Sequence, residues 1–339
     1  MKLARNRVQA VIFGGRLFDR SAQRITHQLA RLSDLKPLKH LLILLVLAVV
    51  ITLVATGPSV AGEKKSSGKK STATKKICIT FDEVPLAVSF GDADQDAITY
   101  LILEALKRHD VKATGFVVGE QMKDSFDVLG QWLNGGHGLG NMTFSGQDYN
   151  RLGPEQFIGD IRKGAEALEP MLSGFGQKKR YFRFPYLHYG DNVERRKAVT
   201  LYLDELTYVV CPATVIPEDY LHNLTLIKMG KEPDSTKFVQ LLNDYINHVL
   251  DELERQEQLA REIVSRPIKQ ILRLRTNRLN AVYLDELLSA LENTGYKFIT
   301  LDDALKDKVY SIPEGYYGLK GLSYLEMIIN SDPDLVPAQ

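Results

Sequence analysis

The amino-acid sequence predicts an α/β protein in which helices cover a parallel sheet. From residue 77 onward, short β-branched and aromatic runs alternate with longer segments whose apolar residues recur at helical spacing. Repeated alternation of strands and helices is typical of parallel strands that are joined by crossover helices. This periodicity alone does not distinguish an open, doubly wound sheet from a closed barrel.

The individual elements follow from local composition, taken in chain order. Residues 77–81 are β-branched and aromatic, residues 97–107 have helical apolar spacing, and residues 113–118 are again typical of a strand. Further strands are predicted at residues 181–184, 208–215, 268–274 and 297–300. Further helices are predicted at residues 154–168, 193–203, 236–260 and 283–292.

The segment before the first strand is predicted to tether the protein to a membrane. Residues 1–40 are basic, residues 41–57 form an apolar run near the ~17-residue minimum for crossing a bilayer, and residues 58–76 form a polar linker rich in Lys and Ser. The excess of Lys and Arg before the apolar run favours a cytoplasmic N terminus and an extracytoplasmic domain. We expect an uncleaved anchor, with cleavage near residues 59–61 as the alternative.

The rest of the chain is predicted to form one globular domain, residues 77–330, with a tail at residues 331–339. The net charge of +1 argues against a nucleic-acid partner, because phosphate neutralisation requires a concentrated cationic face. Cys78 and Cys211 are too few for a disulfide framework. We expect both to be buried small side chains, and a bond between them outside the cytoplasm stays open.

Polar residues follow several of the predicted strands. Asp82 and Glu83 come directly after the first strand, and Arg183 begins the motif Arg-Phe-Pro-Tyr at the end of a later one. Asp219 and Tyr220 follow the strand after that, and Arg275 ends the run Arg-Leu-Arg near the last strands. Because polar groups at the carboxyl ends of barrel strands are typical of active sites, these residues are the candidates for chemistry.

These motifs, in this order, make residues 77–330 similar to the polysaccharide deacetylases of the NodB-homology type. The resemblance implies an irregular (β/α) barrel with its site at the carboxyl ends of the strands. It also implies a divalent metal ion that polarises an acetamide carbonyl, an aspartate base that takes a proton from water, and a histidine that protonates the leaving amine.

The resemblance implies a role for each residue that is retained. Asp82 matches the general base, and Arg183 matches the arginine that orients this carboxylate. The backbone N–H of Tyr186 is implied to donate to the oxyanion, and Asp219 matches the aspartate that orients the catalytic histidine. The implied substrate-binding residues are Tyr186, His188 and Tyr220.

The metal-binding and acid positions depart from the family pattern. Glu83 replaces an aspartate ligand, while Met142 and Gly146 stand where two histidines four residues apart would share the ion. Arg275 stands in the place of the acid histidine, and an arginine with a pKa above about 12 cannot exchange protons near neutrality. We therefore expect no metal cofactor, vestigial metal positions and no general acid.

The favoured hypothesis is a membrane-anchored pseudo-deacetylase that is catalytically impaired but binds N-acetylated glycan. In this hypothesis Arg275 replaces the charge of the ion and pairs with Asp82, Glu83 or Asp219.

Two alternatives stay open. The first is an active hydrolase of non-peptide C–N bonds, which removes N-acetyl groups from cell-wall glycan or chitin-like polymers in carbohydrate metabolism. It would bind zinc through Glu83, His137 or His188. The second is an assembly protein that contacts a partner through the charged residues 244–261.

Overall fold

Seven parallel strands form one sheet in the computed structural model, which describes residues 74–87, 95–230 and 235–336. The strands are β1 (Lys75–Val84), β2 (Thr114–Val117), β3 (Gly138–Asn141), β4 (Arg180–Phe182), β5 (Tyr208–Val210), β6 (Lys269–Arg275) and β7 (Tyr296–Ile299). Their order is β5-β4-β3-β2-β1-β6, and β7 pairs with the first residues of β1. The predicted α/β fold with a parallel sheet is confirmed.

The chain that follows β5 returns to the other edge of the sheet. A parallel bridge joins Val215 to Leu272 in β6, and the backbone N–H of Arg273 donates to the carbonyl of Val215 at 3.0 Å. This contact connects the two ends of the strand order, as a closed sheet requires. It favours an irregular barrel over an open sheet.

Helices flank the sheet and bury its strands. They are α1 (Gln95–Arg108), α2 (Phe126–Asn134), α3 (Pro154–Gly174), α4 (Val193–Glu205), α5 (Asp219–Lys228), α6 (Ser235–Val264), α7 (Arg278–Asn293), α8 (Leu301–Leu305) and α9 (Tyr324–Ile329). Short 3₁₀ helices lie at Gly119–Asp124, Tyr149–Arg151, Pro185–Leu187, Lys308–Ser311 and Pro333–Leu335. Because β1 has neighbours on both edges and both faces, its residues 77–82 are all buried.

Several elements differ from the sequence prediction for identifiable reasons. β1 begins at Lys75, two residues inside the predicted linker. β3 was not predicted, because its sequence Gly-Leu-Gly-Asn lacks the β-branched residues typical of strands. A Cβ at Gly140 would lie 2.7 Å from the ring of Phe116, so the close approach of the neighbouring strand requires glycine there. β5 ends at Val210, shortly before Pro212, which has no N–H to donate to a ladder.

The charged stretch at residues 244–261 lies within α6 and packs one face against the domain. Its buried residues recur at helical spacing: Tyr245, Val249, Leu253, Gln256 and Ala260. Only the opposite face of this stretch is available to a partner.

The predicted membrane anchor at residues 41–57 lies outside the described residues, as do residues 1–40 and most of the predicted linker. Among the helices that the structure describes, none combines the length and apolar composition needed to cross a bilayer. The anchor therefore stays a prediction.

Candidate functional site

The predicted site residues come together where β1 and β6 end. Asp82 lies opposite Arg275 in the ladder that joins these strands. The register between β1 and β2 shifts between Phe81 and Val84, and Glu83 within this bulge has a left-handed backbone with φ of 60°. The bulge allows Asp82 and Glu83 to contact different partners although they are adjacent in sequence.

Asp82 is completely buried between two arginines. Its Oδ1 accepts a hydrogen bond from Nη1 of Arg183 at 2.9 Å, and its Oδ2 accepts one from Nε of Arg273. Burial alone would raise the pKa of Asp82, but the charges and hydrogen bonds of Arg273 and Arg183 outweigh it and hold this pKa below its usual value. Asp82 is therefore ionised at neutral pH, and each of its two oxygens is paired with an arginine.

Arg183 is itself fixed in place by groups other than Asp82. Its Nη1 also donates to Oγ1 of Thr80 at 2.7 Å, and its Nε and Nη2 donate to the carbonyls of Cys211 and Pro212 at 3.1 and 3.2 Å. The guanidinium carbon lies 4.1 Å from the centre of the Phe116 ring. These contacts define one orientation for a planar guanidinium group in a dry interior.

Arg273 is a site residue that the sequence analysis missed. It lies two residues before Arg275 in β6, so strand alternation places both arginines on the same face. The available signal was an arginine between two leucines in the middle of a strand, because a buried arginine requires a carboxylate partner.

Arg275 forms a second ion-pair cluster beside the first. Its Nη1 donates to Oδ1 of Asp219 at 3.0 Å, its Nε donates to Oε1 of Glu83 at 3.3 Å, and its backbone N–H donates to Oδ2 of Asp219 at 2.8 Å. The guanidinium carbon lies 5.0 Å from the centre of the Tyr220 ring. Asp82, Glu83 and Asp219 were the three carboxylates predicted as partners of Arg275. Arg275 pairs with Glu83 and Asp219, whereas Asp82 pairs with Arg183 and Arg273.

The two carboxylates that bind Arg275 differ in their surroundings. Asp219 is buried and also accepts hydrogen bonds from the side-chain amides of Asn277 and Asn280 at 3.2 and 2.6 Å. Glu83 is partly exposed, and burial raises its pKa above the usual value although Arg275 opposes this effect. Arg275 is the main group that compensates the charge of Glu83.

The residues at the vestigial metal positions do not fit a divalent ion. Met142 is buried in an apolar cluster that includes Phe116 and Tyr181, where its thioether is a poor ligand for a hard or borderline cation. Gly146 offers no donor, and its φ of +67° would strain any side chain placed there. Within the described parts of the chain, no group of three His, Cys, Asp or Glu residues could hold a metal ion.

The two histidines considered as alternative ligands lie in different places. His137 precedes β3, at the opposite end of the strands from Glu83, and its Nδ1 accepts the N–H of Ala113 at 3.2 Å. Burial, with the charge of Lys112, lowers the pKa of His137 to about 4, so the ring is neutral. His188 follows β4 at the site end, and its Nδ1 lies 2.7 Å from Oδ1 of Asp148.

The aromatic residues predicted to bind substrate follow strands at the site end of the barrel. Tyr186 lies in the 3₁₀ helix after β4 with φ of 59°, and its side chain is 49% exposed. Its ring is 5.9 Å from that of His188. Tyr220, in the first turn of α5, lies against Arg275. An exposed aromatic ring such as that of Tyr186 can stack on the apolar face of a sugar.

Comparison with known proteins identifies similar sequences and folds. Residues 69–202 match the family model of polysaccharide deacetylases. The chain is 31% identical over 106 residues to a peptidoglycan-N-acetylglucosamine deacetylase of Bacillus cereus, covering 31% of this chain and 38% of that one. It is 29% identical over 140 residues to a chitin deacetylase of Arthroderma benhamiae, covering 40% of this chain. The chain thus spans 38% of the length of the first relative and 35% of the length of the second.

Among solved structures, the fold is similar to that of a CE4 family pseudoenzyme from Bacillus anthracis. The TM-score is 0.47 at 20% sequence identity, and the match covers 69% of this chain and 66% of the other.

The Arg275 cluster predicts a stability effect. Arg275→Ala should lower the free energy of unfolding by about 3 kcal/mol, because it leaves Glu83 and Asp219 without their cation. Urea unfolding measures the change. The matched control is Arg180→Ala, whose pair with Glu169 is largely exposed and should contribute at most about 0.5 kcal/mol. Equal stabilities of the two variants would contradict the compensating role of Arg275.

The Asp82 pair predicts a specific pH dependence. Asp82→Asn should lower the unfolding free energy by about 3 kcal/mol at neutral pH, because two buried arginines lose their carboxylate. Since the native pKa of Asp82 lies below its unfolded value of about 3.9, this contribution is complete above that value and is lost as pH falls through the native pKa. The stability difference between wild type and variant, measured by urea unfolding, should stay constant from about pH 8 to about pH 5 and shrink below about pH 4. A stability difference between wild type and Asp82→Asn that already shrinks above about pH 5 would contradict a lowered native pKa of Asp82.

Proposed function

We propose that the chain is a catalytically impaired member of the polysaccharide deacetylase family that binds N-acetylated glycan. The observation that carries the proposal is the environment of Asp82, where both carboxylate oxygens accept guanidinium N–H groups in a completely buried position. A general base must reach the water from which it takes a proton. Asp82 is not exposed to such a water, and its pairs with Arg183 and Arg273 make its protonation unfavourable.

The acid and metal positions support the same proposal. Arg275 occupies the place of the proton donor and is bound to two carboxylates, and an arginine holds its proton throughout the physiological range. General acid assistance contributes about 10²–10⁴-fold to rate, and a metal ion lowers the pKa of bound water from about 16 to about 7. A protein without either contribution loses most of the rate enhancement of an amide hydrolase.

The binding part of the proposal rests on groups that do not take part in proton transfer. Tyr186 presents an exposed aromatic ring at the site end of the barrel beside the side chain of His188, and the partly buried ring of Tyr220 lies against Arg275. Such rings bind sugars without a metal ion. The named activities of the relatives, on peptidoglycan and on chitin, make N-acetylglucosamine polymers the proposed ligands.

The proposed location is a membrane, with residues 41–57 as the anchor and the domain outside the cytoplasm. The apolar run and the basic segment before it support this location. Carbonate washing of membranes tests it, because release of the chain into the supernatant would exclude an integral anchor.

The first functional prediction concerns metal content and turnover. The purified protein should contain substoichiometric zinc, and chitin oligomers or peptidoglycan fragments incubated with it should release no acetate above the level of a protein-free blank. Elemental analysis and an acetate assay measure these quantities. Stoichiometric zinc together with turnover that Asp82→Asn abolishes would instead establish the active-hydrolase alternative.

The second functional prediction concerns glycan binding. Tyr186→Ala should weaken the binding of N-acetylglucosamine oligomers by about 3- to 10-fold, because it removes one stacking surface. The matched control is Tyr100→Ala, which removes a tyrosine of similar exposure from α1 and should bind as wild type does. Calorimetric titration measures both. Absence of binding by the wild-type protein would refute the glycan-binding proposal whatever the result of the metal assay.

A further inference from the structure

A second concave site lies beside the barrel, between α4 and the chain that follows α8. It is a cavity of about 720 Å³, within the range of small-molecule sites. Its walls are mainly apolar and include Leu201 from α4, Val210 at the end of β5, and Met327 from α9. None of the charged residues Asp82, Glu83, Asp219 and Arg275 lines it, so this cavity is separate from the candidate site described above.

Tyr189 provides an unpaired polar group in the wall of this cavity. The residue is only 8% exposed, its ring packs on Phe184 at 4.8 Å between centres, and its hydroxyl has no hydrogen-bond partner among the residues that the structure describes. Burial raises the pKa of Tyr189, so the phenol keeps its proton. Because almost all buried polar groups in proteins are paired, a water molecule or a ligand group entering from the cavity would supply the partner that this hydroxyl lacks.

The polar part of the cavity wall has one surplus positive charge. Arg196 and Lys197, adjacent on α4, line the cavity together with Glu314. Arg196 donates to Glu314 and to the carbonyl of Tyr316 at 3.0 Å, and its guanidinium carbon lies 5.3 Å from the centre of the Tyr189 ring. Glu314 thus balances Arg196, and Lys197 at the exposed edge is the charge that remains.

We propose that this cavity binds a single-chain anionic amphiphile, with its head group near Tyr189 and Lys197 and its alkyl chain against Leu201, Val210 and Met327. An apolar wall favours an alkyl body, because a polyhydroxylated sugar would lose its bonds to water without finding enough partners here. The surplus cation favours an anionic head group. The hydroxyl of Tyr189 can donate to a carboxylate or phosphate oxygen of that head group.

Laurate, titrated below its micelle concentration into the full-length protein, is the probe that tests the proposal by calorimetry. Wild-type protein should bind it saturably at one site. Tyr189→Phe should weaken binding by about 5-fold without lowering the melting temperature of the free protein, because the variant removes only an unpaired hydroxyl. A merely structural role of Tyr189 would give the opposite pattern, with lower stability and unchanged affinity.

A charge-reversal variant tests the head-group assignment independently. Lys197→Glu should weaken laurate binding by about 10-fold and should not weaken binding of dodecyltrimethylammonium, a cation with the same alkyl chain. The matched control is Lys297→Glu, which reverses an exposed lysine on β7 outside the cavity and should bind laurate as wild type does. Absence of saturable laurate binding by wild type would overturn the proposal. Equal affinities of wild type, Tyr189→Phe and Lys197→Glu would overturn it too.

The source of the amphiphile is distinguished by a third titration, with vesicles of phosphatidylglycerol. Binding of monomeric laurate with no vesicle binding identifies a free single-chain ligand, and binding of both identifies a ligand that can also come from a lipid surface. Binding to vesicles alone would contradict a cavity that holds a single alkyl chain.

Discussion

The pairing of buried charges is the constraint on which the end of this barrel depends. Asp82 and Arg183 are completely removed from solvent, Asp219 and Arg273 nearly so, and Arg275 is partly buried. A charge in such a place is tolerated only when opposite charges and hydrogen bonds surround it, because its desolvation costs several kcal/mol. Three carboxylates here meet three guanidinium groups, and the resulting ion pairs decide which side chains are available for anything else.

The two arginines of β6 explain how this end of the barrel can be neutral without a bound ion. Arg273 and Arg275 carry two positive charges on one strand face, the same charge as one divalent cation. Arg273 contacts Asp82, and Arg275 contacts Glu83 and Asp219. The same pairs that stabilise the fold therefore occupy the carboxylates that proton transfer or metal binding would require.

Sequence patterns predicted the large elements of this fold and most residues of its candidate site, including the pair of Asp82 with Arg183, but not every ion pair among them. The long helices α3, α6 and α7 and the strand β1 have strong periodicity, whereas β3 was missed because its glycines permit close strand packing that composition does not reveal. The second partner of Asp82, Arg273, was also missed. Asp82 lies opposite Arg275 in the ladder that joins β1 and β6. Because of the bulge at Glu83, Arg275 pairs with Glu83, and Asp82 pairs with Arg273 instead. Such a bulge depends on tertiary packing, and no periodic pattern of residues in the sequence predicts it.

The positions at which this chain differs from the polysaccharide deacetylase pattern are coupled to one another through charge and packing. A histidine in place of Arg275 would leave Glu83 and Asp219 without a permanent cation, and a cation could compensate them only with further ligands. Those ligands would have to come from the position of Met142, which is packed in the apolar core, and from Gly146, whose left-handed backbone resists a side chain. Each substitution therefore makes the others more favourable. The charges of this barrel are balanced by its own side chains, so replacing Arg275 leaves two carboxylates without their cation, whereas a histidine at position 142 or 146 is opposed by core packing or by the left-handed backbone.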